Sequence, residues 1–158
     1  MESGNVNVVE ELLERIRDLE KRMNKLEGNE LPLTGLETDA AGSVSYQGEV
    51  TLGDATYSYA WERPTTHLTE GAWDETMKNL GATAHPVRGR ILQHLLNHPA
   101  TVAELVEAGV VSSTGTGYHH LTTLQSAGWI YKDSHGLHSI KAKRVVALLT
   151  LILAMEEA

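Results

Sequence analysis

The chain has 158 residues, 41 % of them apolar, with no cysteine, and its 13 basic against 21 acidic side chains give a net charge of −8. The missing cysteines exclude a disulfide framework, thiolate-held zinc, iron–sulfur clusters and a cysteine nucleophile. The acidic balance argues against a protein that coats nucleic acid indiscriminately. The charge is uneven: residues 1–85 carry 7 basic and 16 acidic side chains, residues 86–158 carry 6 and 5, and seven of the eight histidines lie from His85 onward. The amino-terminal stretch lacks the basic start and apolar run of a signal peptide. The longest apolar run, 145–155, broken only by Thr150, is too short to span a bilayer. A cytoplasmic protein with no membrane partner is expected.

Residues 6–27 predict a first helix. Val9, Leu12, Ile16, Leu19, Met23 and Leu26 alternate in steps of three and four, an a/d heptad seam. β-Branched residues at a and leucine at d favour two parallel strands. Arg15 and Arg22 at g face Glu20 and Glu27 at e of a parallel partner. Gly28 supplies a stop. Residues 1–28 are therefore expected to be a dimeric coiled coil; the competing reading is an amphipathic helix packed on its own domain.

Residues 29–70 read as linker and β-hairpin. Pro32, Gly35, Gly42 and Gly48 break helices, while 43–52 and 55–63 alternate apolar with polar residues around a Gly53-Asp54 turn. A lone hairpin is unstable in water, so it must lie on something. Tyr46, Tyr57, Tyr59 and Trp61 either cover a core edge or line a pocket for an unidentified small apolar effector.

Residues 71–158 carry the most information. A short helix is predicted at 72–80. Pro86 opens a second, with Val87, Ile91, Leu92, Leu95 and Leu96 on one side, and Pro99 ends it. Thr101 and Glu104 form a capping box that starts a third. Ser112 and Ser113 cap a fourth, which runs to Ala127 with Gly128 after it. Two strands, 129–132 and 137–140, flank a turn at 133–136. A last helix, 142–157, is apolar nearly all round from Val145 to Met155. That marks it as a dimerisation helix, with Val145, Leu148, Leu149 and Ile152 as contact residues. The fold class expected is mainly α (α+β), a winged helix-turn-helix preceded by the coiled coil and the hairpin.

The run Ala84-His-Pro-Val-Arg88 with Ile91-Leu92, then Thr101-Val-Ala-Glu-Leu105, then Tyr118-His-His-Leu121, Leu124 and Ala127-Gly-Trp129 resembles the ArsR-type winged-helix repressors. The resemblance covers roughly residues 75–155. It implies a homodimeric, sequence-specific regulator of transcription, a repressor by analogy, that binds duplex DNA without a cofactor. The coiled coil and the 43–63 hairpin lie outside it. Metal sensors of that family place Cys pairs or Asp/His/Glu sets on the DNA-reading or carboxyl-terminal helices, which this sequence lacks.

A helix fits the major groove and presents its first turns to base edges. On the helix at about 113–127 those positions are Thr114, Thr116, Tyr118, His119 and Thr122, with Ser112 and Ser113 at an end whose free N–H groups suit phosphate. Lys132, His135 and Lys141, on or beside the wing at 129–140, and Arg88 and Arg90 are the candidate backbone contacts. Gly115 and Gly117 sit early in this helix, where each costs about 1 kcal/mol relative to Ala. They imply either close approach to DNA or a helix that begins nearer Thr116. The helix lacks Lys and Arg, so specificity is expected to rest on apolar contacts, water and DNA shape.

Two other readings compete. A coiled-coil interaction module would keep the winged-helix scaffold without reading DNA. A His-based metal sensor would use His94 and His98, four apart on a helix, but no carboxylate shares that turn and Pro99 follows at once. No metal site is expected. Nor is an enzyme: Ser112-Ser-Thr-Gly-Thr-Gly117 lacks the Lys and the preceding strand of a phosphate-binding loop.

Overall fold

The computed structural model describes residues 41–156. The coiled-coil seam Val9, Leu12, Ile16, Leu19, Met23 and Leu26, the 29–40 part of the linker and the predicted helix end at Glu157 lie outside the described residues. Those described form an α+β arrangement: two two-stranded antiparallel sheets and six helices.

Strands β1 (Ser43–Leu52) and β2 (Ala55–Pro64) pair in register from Leu52↔Ala55 to Ser43↔Pro64. Gly53 takes φ 58° at the first turn position, which a two-residue primed turn reserves for glycine. Period-2 alternation puts Tyr46, Gly48, Val50, Leu52, Tyr57 and Tyr59 on one face, all half-buried, and Ser45, Gln47, Glu49 and Ser58 on the wet face. Across the strands Thr51 and Thr56 share a 3.1 Å hydrogen bond, and Ser43 donates to Glu62.

Helix α1 (Thr65–Glu70) follows at once, then α2 (Asp74–Gly81). The predicted helix at 72–80 is thus shifted by two residues and α1 is new. Three threonines in six residues give α1 poor helix propensity and no apolar stripe, so no periodicity announces it. Trp73 Nε1 donates to Leu68 O (2.6 Å) and ties the two helices together.

Helix α3 (Pro86–Asn97) begins on His85, whose Nδ1 accepts from the Val87 amide (3.1 Å). Its Ile91, Leu92 and Leu95 are buried. Helix α4 (Val102–Glu107) opens on the expected capping box: Glu104 Oε2 accepts from the Thr101 amide (2.7 Å) and Thr101 Oγ1 accepts from the Glu104 amide (3.3 Å). Helix α5 (Thr114–Ser126) is capped by Ser113, and its start at Thr114 decides against the later alternative.

Strands β3 (Ile130–Lys132) and β4 (His138–Ile140) form the second hairpin. Asp133 organises its turn by accepting from the amides of His135 (2.8 Å) and Leu137 (2.9 Å). Ala100 exchanges two backbone hydrogen bonds with His138 and so fastens the α3–α4 loop to the hairpin. Ile91, Leu105, Leu121, Leu124 and Ile130 make the centre of the core.

Helix α6 (Ala142–Met155) corrects one expectation and explains another. Val145 and Leu148, expected at a contact between copies, are buried inside the chain, at 2 % and 5 % exposure, and have no area left for a partner. Leu149 is half-buried against the core, and Ile152 is exposed. Val145 and Leu148 join the core with Ile91, Leu95 and Ile140, and the first hairpin packs on α6 through both strands. At the closest approach a Cβ on Gly48 would lie 3.0 Å from Val146 Cγ1. The hairpin without a support and the helix without a wet face therefore bury each other. No helix among the described residues is long and apolar enough to cross a membrane.

Candidate nucleic-acid interface

Helix α5 is positioned by its inner face. Gly117, His120, Leu121 and Leu124 are buried at helical spacing, and α4 packs against that side. The period of 3.6 then leaves Thr114, Tyr118, His119 and Thr122 outside, with Tyr118 53 % exposed. These four expected base-edge candidates share one strip.

Two other candidates at the helix start are spent locally. Ser113 Oγ accepts from the Thr116 amide (3.3 Å) and shares a 3.0 Å hydrogen bond with Thr116 Oγ1. Thr116 is half-buried, so its expected reach toward a base edge is corrected: its hydroxyl completes the cap. Ser112 and Thr114 remain exposed beside it.

Tyr118, His119 and Thr122 of the outer strip line one wall of an open cleft of about 720 Å³, opposite Glu75, Lys78 and Asn79 of α2. Arg88 lines the same cleft, but its guanidinium also closes the end of α2. Nε donates to Ala82 O, and a terminal nitrogen donates to Gly81 O (3.2 Å). These carbonyls lack intrahelical partners, and a cation suits the negative end of the helix dipole. Trp129 Nε1 donates to Asn79 O (2.8 Å) and holds α2 beside α5. Lys78 and Glu75 were missed from sequence because nothing local to α2 shows that it lies across from α5. Arg90 sits elsewhere, in a shallow depression with His94 and the 108–110 turn.

Of the residues expected on or beside a wing, Lys132 and His135 are exposed. Lys141 is half-buried, and its Nζ lies 3.9 Å from where a Cβ on Gly128 would stand, beside the end of α5. Tyr131, exposed on β3, is an additional aromatic there. On the first hairpin Tyr46, Tyr59 and Trp61 stack in a row at 6.0 and 6.1 Å, with Arg63 3.9 Å from the Trp61 ring centre, while Tyr57 packs on the core.

Three histidines meet where α3 and α5 cross. The His85 and His120 rings are 4.8 Å apart, and those of His119 and His120 are 5.2 Å apart. Burial pushes the His120 imidazole below its ordinary range, with His85, His119 and Arg88 adding to the shift. Burial likewise lowers His138, aided by Lys132 and opposed by hydrogen bonding with the Ala100 backbone and by Asp133. Among the described residues neither His120 Nδ1 nor His138 Nδ1 has a hydrogen-bond partner. Among the described residues no three His, Asp or Glu side chains are grouped to hold a metal ion. His94 is half-buried and His98, the cap after α3, is exposed.

The two depressed imidazoles make stability pH-dependent. Above about pH 6.5, the ordinary histidine value, both are neutral in either state and their contribution is fully present. As pH falls below that value the unfolded chain takes up protons first, so stability drops. The lowered carboxyls of Glu104 and Asp133, held by backbone hydrogen bonds, act only further down, below the usual carboxylate range. The urea midpoint is therefore expected to fall between pH 7.5 and 5.5, and His120→Asn with His138→Asn to flatten that fall. A flat wild-type profile contradicts this.

No protein-family model matches the chain, and no curated protein matches it.

Proposed function

We propose that the chain is a sequence-specific duplex-DNA-binding regulator of transcription that works as a homodimer. In this reading residues 71–158 are a winged helix-turn-helix of the ArsR type. Helix α4 braces α5, α5 enters the major groove, and the β3–β4 hairpin is the wing that rides on the backbone. The observation that carries the reading is the outer strip of α5. Thr114, Tyr118, His119 and Thr122 stand free on a helix whose opposite face is locked into the core. Hydroxyl, imidazole and phenol groups in that position suit base edges and thymine methyls. Lys132 and Lys78 supply positive charge to either side, His135 adds a polar ring beside the wing, and Glu75 opposes phosphate within the cleft.

Two half-sites one helical turn apart require two recognition helices. The described surface leaves Ile152, Leu153 and Met155 at the end of α6 and Trp73 and Met77 at the start of α2 exposed, which supports association between copies. Sedimentation at micromolar concentration is expected to give a dimer. Ile152→Glu with Leu153→Glu is expected to weaken it while leaving the helical content unchanged, because both side chains lie outside the core. A monomer for the wild type contradicts the proposal.

Fluorescence anisotropy on a random-sequence duplex tests the DNA reading. Binding is expected to weaken steeply between 50 and 200 mM salt, as counterion release demands. No binding at 50 mM salt contradicts it and favours the interaction-module reading.

A further inference from the structure

Arg144 on α6 faces a second cleft, of about 420 Å³, between α2, α6 and the first hairpin. The walls are largely apolar: Leu80, Trp129, Ala147, Leu151 and Ala154, with Tyr46 at one side. The guanidinium lies over the Trp129 ring, 4.9 Å from its centre. Its Nε is cut off from water and has no hydrogen-bond acceptor among the described residues. Among the described residues no Asp or Glu lines the cleft. The Trp129 face offsets part of the desolvation of this cation, but an N–H buried without an acceptor is costly. Arg63, the next cation on the hairpin, is placed over Trp61 instead. Tyr46 adds a hydroxyl at this wall, which burial pushes above its ordinary range, with Tyr59 adding to the shift and Arg144 opposing it.

We infer that this cleft binds a small organic monoanion, a carboxylate on an apolar body, with Arg144 as the anion-binding residue. A carboxylate in the cleft supplies a counter-charge for this cation and matches the planar fork of the guanidinium. The apolar body lies along Leu80, Ala147 and Leu151. The volume falls in the range of about 300–1,000 Å³ usual for small-molecule sites. Neither an inorganic anion nor a neutral hydrocarbon satisfies both halves of the cleft. The site is separate from the outer strip of α5 and does not depend on DNA binding.

Calorimetric titration of the full chain, without DNA, tests it, with naphthalene-1-carboxylate as probe and naphthalene-1-carboxamide as its neutral isostere. The carboxylate is expected to bind at one per chain and the amide at least tenfold more weakly. Arg144→Met is expected to weaken the carboxylate at least tenfold and leave the amide unchanged, and Arg144→Lys to retain part of the preference. Arg144→Met also removes the contact with Trp129, so Ala147→Leu serves as a second variant that fills the cleft and keeps the cation; it is expected to block both probes. Equal affinity for acid and amide, undiminished binding by Arg144→Met, or no binding to the full chain overturns the assignment.

Discussion

Replacing Gly117 with valine is expected to destabilise the protein by about 1–3 kcal/mol, the usual range for overpacking, whereas Gly115→Ala is expected to stabilise it by up to about 1 kcal/mol. The two glycines stand two positions apart on α5 yet meet opposite surroundings. A Cβ on Gly117 would lie 2.9 Å from Val102 Cγ1 and 3.3 Å from Val111 Cγ2, so a branched side chain must push α5 away from α4. A Cβ on Gly115 meets nothing within 4 Å. Gly117 is thus the price of close helix packing, and Gly115 is free to be replaced. Urea denaturation at pH 7.5 reads both. A Gly117 variant as stable as the wild type would mean that α5 is not seated on α4 in this way.

The larger functional effect is expected on the outer strip. Tyr118→Ala and His119→Ala should each cost about 1–3 kcal/mol at a preferred DNA site and little on random duplex, because base-edge contacts discriminate. Lys132→Ala should weaken both kinds of binding alike and lower the salt slope by about one. Thr116→Ala should act mainly on folding, since its hydroxyl is engaged with Ser113. Comparing each variant on the preferred and the random duplex separates these roles. Equal losses for Tyr118→Ala on both duplexes would remove it from base reading.

The sequence made local devices legible. The Thr101–Glu104 box, the helix start at Pro86, the Ser113 cap and the Gly53-Asp54 turn each need only a few neighbouring residues, and pattern alone places each of them. What it hid was long-range. Val145 and Leu148 look like interface residues because a continuous apolar run carries no sign of which face is already covered; both belong to the core with Ile91, Leu105 and Ile140, and Val146 meets a hairpin about a hundred residues earlier in the chain. Gly48 is small because α6 approaches it, a fact invisible in an alternating strand. Arg88 read as a phosphate contact, but its guanidinium also finishes α2, and the role of Lys78 depends on α2 lying across from α5. Helix α1 had no periodicity to announce it. In the candidate interface, helical spacing alone separated Tyr118, His119 and Thr122 from the buried His120 and Leu121, whereas the local use of Thr116 required the hydroxyl geometry.

Selection from a pool of random duplexes, sequenced after several rounds with the full chain, tests the central proposal most directly. If two copies of α5 read DNA, the pool converges on a motif with two related halves about 34–36 Å apart along the duplex, and the Tyr118→Ala, His119→Ala double variant fails to enrich it. Recovery of sequences no different from the input pool, under salt conditions where the protein binds DNA, would contradict it.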